Sequence, residues 1–242
     1  MKNTKIEWTE KVWNPTIGCD KISAGCKFCY AENFANRLKA IGLSDYKDGF
    51  MFKILPHRLY EPLKIKKPTK FFVNSMSDLF HENMPLEYFY EIIEIIKKTP
   101  YHKYQILTKR AEKMYELLKD YQLPENIWLG VSVENADYKY RIDLLRKIDA
   151  KIRFISFEPL IGAVGELDLN GIHWVIVGGE SGQKARQMKI EWIDEIYNQS
   201  VLYNVPFFFK QWGTWGADGL RRSKKANGRL FREKEWNLFP VE

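Results

Sequence analysis

The chain has 242 residues, 45% of them hydrophobic and 29% charged, with a net charge of +7. That composition excludes a disordered or fibrous protein and suits one α/β domain of barrel size or two small ones. The only three cysteines lie within eleven residues of one another, which argues against a secreted disulfide framework and for a metal site in a reducing compartment.

The opening MKNTKIEWTEKVWNP has no apolar run behind its lysines, and nowhere do about 18 apolar residues follow one another. The expectation is a cytoplasmic protein without a signal peptide or membrane span. The positive charge is compatible with a nucleic-acid or other anionic partner, and equally with a lysine-rich, well-solvated surface.

Short apolar runs then alternate with amphipathic stretches. The runs Val12–Ile17, Lys70–Asn74, Tyr104–Thr108, Ile127–Val133, Ile152–Phe157, His173–Val177 and Pro206–Phe209 read as strands. Several are nearly continuous in Val, Ile, Phe and Trp, as parallel strands buried on both faces are. Between them, Ala31–Ala40 reads as a helix stopped before Gly42. Pro85–Lys98 carries Phe89, Ile92, Ile93 and Ile96 along one face and places Pro in the first turn. Ala111–Lys119, Asp137–Ile148 (with Asn135 as a cap) and Ile190–Tyr203 complete the set.

This alternation predicts six or seven βα units with right-handed crossovers. The expected architecture is α/β: a partial (β/α)6-type parallel barrel over residues 1–212, with an open doubly wound sheet as the alternative. Two regions stand outside it. Residues 42–70, rich in Pro, Lys and aromatics, read as an insertion over one face. Residues 213–242 read as a basic, aromatic C-terminal extension, in which Trp215, Phe231 and Trp236 are interleaved with Arg221, Arg222, Lys224, Lys225, Arg229 and Arg232.

In parallel barrels, chemistry gathers at the C-terminal strand ends. Here those ends carry Cys19; Asn74, Ser75, Ser77 and Asp78; Lys109 and Arg110; Ser132 and Glu134; Glu158; Gly178, Gly179 and Glu180; and Lys210 and Gln211. Polar groups beside glycines that permit close backbone approach suit a polar small molecule.

Cys19, Cys26 and Cys29 have the spacing C-x6-C-x2-C. Thiolates are strong ligands for iron–sulfur clusters and for zinc. Three of them on a cubane leave one iron without a protein ligand. Two readings compete: free structural cysteines, against which Gly18 and Gly25 beside the thiols point to a ligand loop, and a Cys3His zinc site, although no histidine lies inside the motif and His57, His81, His102 and His173 are distant in sequence.

The segments WNPTIGC, GCKFCYAE, NSMSDLF, LTKR, GVSVEN, SFEPL, VGGESG and FFFKQWG, from Trp13 to Gly213, resemble the radical S-adenosylmethionine superfamily. Within it they resemble the phage Gp37/Gp68-type family (DUF5131), with a distant similarity to spore photoproduct lyase. The common superfamily spacing is C-x3-C-x2-C, so the first spacer departs from it.

The resemblance implies a [4Fe–4S] cluster on Cys19, Cys26 and Cys29, with S-adenosyl-L-methionine chelated to the open iron. A reduced cluster cleaves this cofactor to a 5′-deoxyadenosyl radical, which takes a hydrogen atom from substrate. It implies that Phe28 lies near the adenine, with Tyr30 beside it. Asn74, Ser75, Ser77 and Asp78 stand where the methionine amino group is bound, without the common Gly-Gly-Glu form. Ser132 and Glu134 are candidates for ribose or methionine, Glu158 for a further polar contact, and Gly178, Gly179 and Glu180 for hydrogen bonds to the adenine.

Lys109, Arg110, Lys210 and Gln211 are the candidates for substrate contact. The leading substrate is a nucleic acid or nucleotide, with Arg and Lys on phosphates and Trp215 or Trp236 stacking on bases; the alternatives are a tail that only covers the barrel, its aromatics buried, and a small-molecule or peptide substrate. An electron donor such as flavodoxin or ferredoxin is the implied partner. The alternative from another class is a non-catalytic zinc or iron–sulfur nucleic-acid-binding module.

Overall fold

The computed structural model describes residues 4–241. The first apolar run is divided. β1 (Lys11–Trp13) joins the main sheet, whereas β2 (Thr16–Ile17) turns away and pairs antiparallel with β3 (Lys53–Ile54) from the insertion. The single strand expected over Val12–Ile17 is therefore corrected. The cause is Pro15, which has no N–H for a ladder and restricts Asn14 before it. The Pro15 carbonyl instead accepts Leu55 N at 2.7 Å, and Asn14 Oδ1 accepts Met76 N at 3.2 Å.

The main sheet continues through β4 (Lys70–Val73), β5 (Lys103–Thr108), β6 (Ile127–Ser132), β7 (Ile152–Phe157), β8 (Trp174–Gly178) and β9 (Phe207–Gln211). Every neighbouring pair is parallel, and the spatial order is the chain order. A doubly wound sheet reverses direction at a switch point. This sheet does not; it curls into a half-barrel with β1 and β9 as its two edges.

The helices are α1 (Tyr30–Ala40), α2 (Pro56–Leu59), α3 (Leu86–Lys97), α4 (Ala111–Leu118), α5 (Tyr140–Arg146), α6 (Ile190–Leu202) and α7 (Lys224–Asn227). The helix expected over Asp137–Ile148 is a 3-10 turn at Ala136–Tyr138, capped by Asn135 Oδ1 from Asp137 N, followed by the shorter α5. No helix connects β7 to β8. Buried Leu160, Val164, Leu167, Leu169 and Ile172 fill that position.

Alternation along the strands sorts the core into two sides. Outside, Leu129, Val131, Ile155, Val175 and Val177 meet Ile92, Ile96, Met114, Leu145 and Ile193 of the helices. Inside, Phe72, Trp128, Phe154, Trp174, Ile176 and Phe208 surround Trp8, whose ring is 4.6 Å from Phe72 and 6.2 Å from Trp174. The concave face is thus filled with aromatics toward the N-terminal strand ends and left polar at the C-terminal ends.

The C-terminal extension is a strap. Phe209 N donates to Trp236 O at 2.9 Å along the outer edge of β9, and Trp174 Nε1 donates to Leu238 O at 2.8 Å. A covered edge cannot template pairing with another chain. Phe231 is buried, and Trp236 packs on Tyr197 at 4.5 Å. Arg222 pairs with Asp218 and Arg232 with Asp194. Trp236 is half-buried against the core, with Lys234 Nζ 3.7 Å from its ring centre. Trp215 is half-buried, with Nε1 bonded to Ala185 O and Arg221 over its ring. Among the described residues no helix is long and apolar enough to cross a membrane.

Candidate functional site

The C-terminal strand ends open into a cavity of about 420 Å³. The cysteine loop is held over it from three directions. Gly18 N donates to Met76 O at 2.9 Å, Ser77 Oγ to Gly18 O at 2.7 Å, and Cys19 N to Phe50 O at 3.2 Å. Gly18 has φ +82°, and a Cβ there would enter the Met51 carbonyl, so only glycine fits this approach of the insertion. Farther on, Tyr138 Oη accepts Ala24 N at 2.9 Å, and Arg186 Nη1 donates to Ala24 O at 3.0 Å.

Cys19, Cys26 and Cys29 are free thiols, and all three line the cavity. Their electrostatics differ. Burial pushes Cys19 up to about 11, reinforced by Asp78 and opposed by Arg110, whose Nη1 is 3.2 Å from the sulfur. Burial also pushes Cys26 up, but Lys109, the Ser23 hydroxyl and backbone bonds outweigh it and leave the thiol below its ordinary value.

Most of the expected site residues line this cavity: Phe28, Tyr30, Asn74, Ser75, Ser77, Asp78, Ser132, Glu158, Gly179 and Glu180, together with Lys109, Arg110, Lys210 and Gln211. Glu134 and Gly178 are not on its wall. Glu134 is fully buried behind the loop, accepting from Arg141 Nη1 at 2.8 Å and from Ser23 Oγ. The Gly178 carbonyl accepts Leu160 N at 3.0 Å.

Much of the wall is internally paired. Asp78 accepts from Thr108 Oγ1 at 2.7 Å, from Lys109 N at 3.2 Å and from Arg110 Nη1 at 3.4 Å. Glu158 pairs with Lys210 at 3.0 Å and accepts from Ser156. Glu180 takes Arg186 in a fork, at 2.6 Å to Nη2 and 2.9 Å to Nε, and the same guanidinium lies 5.3 Å from the Phe28 ring. Such bidentate pairs fix geometry as well as charge.

Arg186, Ser23, Arg141, Glu7 and Trp8 were missed in the sequence. Arg186 and Arg141 carry no motif signal. Trp8 lies ahead of the first strand and reads as an ordinary terminal aromatic.

Among the described residues, no group of three or more His, Cys, Asp or Glu side chains is gathered tightly enough to hold one metal ion. A single zinc needs all its thiolates about 2.3 Å from one point. A cubane takes each cysteine on a different iron, so its ligands need only face a common space. Three free thiols around one cavity, beside cationic Lys109 and Arg110, suit the second demand.

A sequentially wound α/β half-barrel with a cysteine loop across its C-terminal mouth defines the class. The chain belongs to the family described as "Protein of unknown function (DUF5131)", whose model matches residues 3–240. No curated protein sequence matches it. Among solved structures it is similar to a cysteine-to-serine mutant of spore photoproduct lyase, at 14% identity and TM-score 0.50, covering 79% of this chain and 62% of that one. A second is spore photoproduct lyase complexed with dinucleoside spore photoproduct (13%, TM-score 0.47, 76% and 59%). A third is a double mutant with bound AdoMet and the dinucleoside (14%, TM-score 0.48, 79% and 61%). The chain spans about three fifths of the length of these lyase chains, and the likeness is one of fold.

Proposed function

We propose that this protein is a radical S-adenosylmethionine enzyme acting on a nucleotide or nucleic acid. The observation that carries the reading is the convergence of Cys19, Cys26 and Cys29, the only cysteines in the chain, on one cavity at the mouth of a parallel half-barrel. Cys19, Cys26 and Cys29 would hold a [4Fe–4S] cluster, three thiolates leaving one of its four irons without a protein ligand for the cofactor. When bound, the reduced cluster supplies the electron that cleaves S-adenosylmethionine at its sulfonium for radical chemistry on the substrate.

The chain's own residues do the positioning. Glu134 and Arg186 clamp the loop between Cys19 and Cys29 from behind, through Ser23 and Ala24. Phe28 and Tyr30 line the cavity beside the cysteines and offer apolar surface for an adenine. Ser75, Ser77, Ser132 and Glu158 supply polar contacts around the mouth. Lys109, which has no carboxylate partner among the described residues, gives the mouth positive charge suited to phosphate, whereas Lys210 is paired with Glu158. The aromatic layer around Trp8 closes the N-terminal end and excludes water from the reaction space. A reducing compartment such as the cytoplasm and a small electron-carrier protein are the setting this chemistry requires.

The test is electron paramagnetic resonance of anaerobically reconstituted, reduced protein with and without S-adenosylmethionine. A [4Fe–4S]⁺ signal that changes when the cofactor is added upholds the reading. A cluster signal indifferent to it, a protein that takes up only zinc, or full iron retention in Cys26→Ala overturns it.

A further inference from the structure

The net charge of +7 is not spread evenly along the chain. There are 38 Lys and Arg against 31 Asp and Glu. Residues 180–189 and 213–229 hold eight of the former and only two of the latter, which leaves 30 against 29 for the rest. Six of the seven net charges therefore lie in two short segments, one after β8 and one after β9.

The fold joins those segments into one rim. Thr214 N donates to Glu180 O at 3.0 Å, Gly182 N to Thr214 Oγ1 at 2.9 Å and Trp215 Nε1 to Ala185 O at 2.7 Å. The Arg221 guanidinium donates to Gln183 O and lies 5.1 Å from the centre of the Trp215 ring. Within the tail, Arg222 N donates to Thr214 O at 2.9 Å. The rim borders the cavity, because Glu180, Ser181 and Lys224 are part of its wall.

Both acids of the rim are already neutralised, Glu180 by Arg186 and Asp218 by Arg222. Lys224 reaches Glu7, and Arg229 lies 3.7 Å from Glu235. Lys184, Lys189, Arg221 and Lys225 are exposed and have no carboxylate partner among the described residues. Like charges gathered in this way repel one another. A polyanion laid along them relieves the repulsion and releases the counterions of both surfaces.

A nucleotide monophosphate has one phosphate to place, and Lys109 stands at the mouth to receive it. The rim cations exceed that demand and match a row of phosphates. We propose that the rim is a track for the backbone of a nucleic-acid chain, so that the substrate is a polymer and not a free nucleotide. The proposal rests on the nucleotide-directed reading above and names its substrate class. The strand lies along residues 180–189 and the tail, with one nucleotide turned out into the mouth. Trp215, bonded to the loop after β8 and flanked by Arg221, fixes the rim in place.

The experiment uses reconstituted protein with S-adenosylmethionine present. Fluorescence anisotropy follows the binding of labelled DNA and RNA strands over a range of salt, with mixed nucleoside 5′-monophosphates and poly-glutamate as competitors. Iron content and the cofactor-dependent spectrum are recorded in parallel. The expected result is binding of one or both polymers at least tenfold tighter than the monophosphates, weakening steeply with salt. Lys184→Glu combined with Lys225→Glu removes two exposed rim cations. This variant should bind at least tenfold more weakly, with a salt slope lower by about 1.4 if the polymer is single-stranded. Lys98→Glu combined with Lys119→Glu makes the same change of net charge on the outer helices and should bind within twofold of wild type. Equal losses in the two variants would show that net charge alone attracts the polymer and would overturn the proposal. Monophosphates or poly-glutamate that compete as well as an unlabelled strand would also overturn it. A protein that binds strands through the rim but forms no cluster would uphold the track and remove the radical chemistry. A cluster that responds to S-adenosylmethionine in a protein with no affinity for either polymer would do the reverse.

Discussion

Glu134 and Arg141 form an ion pair sealed from solvent, with Arg141 Nη1 2.8 Å from Glu134 Oε2 and side-chain exposures of 1% and 0%. The other carboxylate oxygen accepts Ser23 Oγ from the cysteine loop, 111 residues away in the chain. Glu134, two residues past the end of β6, thus braces the cysteine loop.

Removing one member of such a pair leaves an uncompensated buried charge. Arg141→Met should lower stability by about 3–5 kcal/mol. Denaturant unfolding would measure it, and Glu134→Gln in the same chain should recover part of the loss. Equal stability of Arg141→Met and wild type would show that the pair does not brace the fold.

Gly25 lies against that carboxylate. A Cβ there would stand 2.5 Å from Glu134 Oε1 and 2.6 Å from its Cγ. Gly25→Ala must therefore push the loop outward, away from a fixed ion pair. The expected outcome is a marked fall in iron bound per chain after reconstitution, with the melting temperature within a few degrees of wild type. Undiminished iron uptake would mean that the loop's position is not set by Glu134.

The cysteines should titrate apart in metal-free protein. The thiolate is the reactive form. Cys19, held up to about 11 by burial and Asp78, is almost wholly protonated at pH 8, whereas Cys26 lies below its ordinary value. Iodoacetamide at pH 8 should modify Cys26 well before Cys19, and the Cys19 rate should keep rising toward pH 11. Arg110→Met removes the cation that opposes the upward shift and should slow Cys19 further. Peptide mass spectrometry after timed quenching gives both rates; a faster Cys19 at pH 8 contradicts the assignment.

Phe231 tests the nature of the tail. It is 1% exposed and packs between Phe207 and Phe209, at ring distances of 6.1 and 5.7 Å. Phe231→Ala should cost about 3–5 kcal/mol, as truncation of a core aromatic does. A loss under about 0.5 kcal/mol would mean that the extension is a separable arm.

The half-barrel was legible because buried parallel strands write themselves as continuous apolar runs, and seven of them were evident in the chain. Where reading failed, a local feature intervened. Pro15 divided the first run, and the helix expected over Asp137–Ile148 opened as a 3-10 turn before the shorter α5. The polar strand ends were legible for a topological reason: every parallel strand delivers its C-terminal residues to the same rim.

What the sequence determined by itself was therefore a set of local properties. These are the period-two and continuous apolar patterns, the helix faces, the cluster of three thiols, and the list of polar residues at the mouth. The tertiary structure alone decided which of those polar residues face each other. Glu134 turned inward to Arg141, and Glu180 was taken by Arg186. In the tail, Phe231 joined the core and Trp236 packed against it, while Trp8 was enclosed by the aromatics of the concave face. The physical reason is that a side chain's partner is chosen by packing across the curl of the sheet. That packing joins residues as far apart as Ser23 and Glu134 or Trp174 and Leu238, and even between near neighbours such as Glu134 and Arg141 it is the fold, not apolar periodicity or motif spacing, that selects the pair.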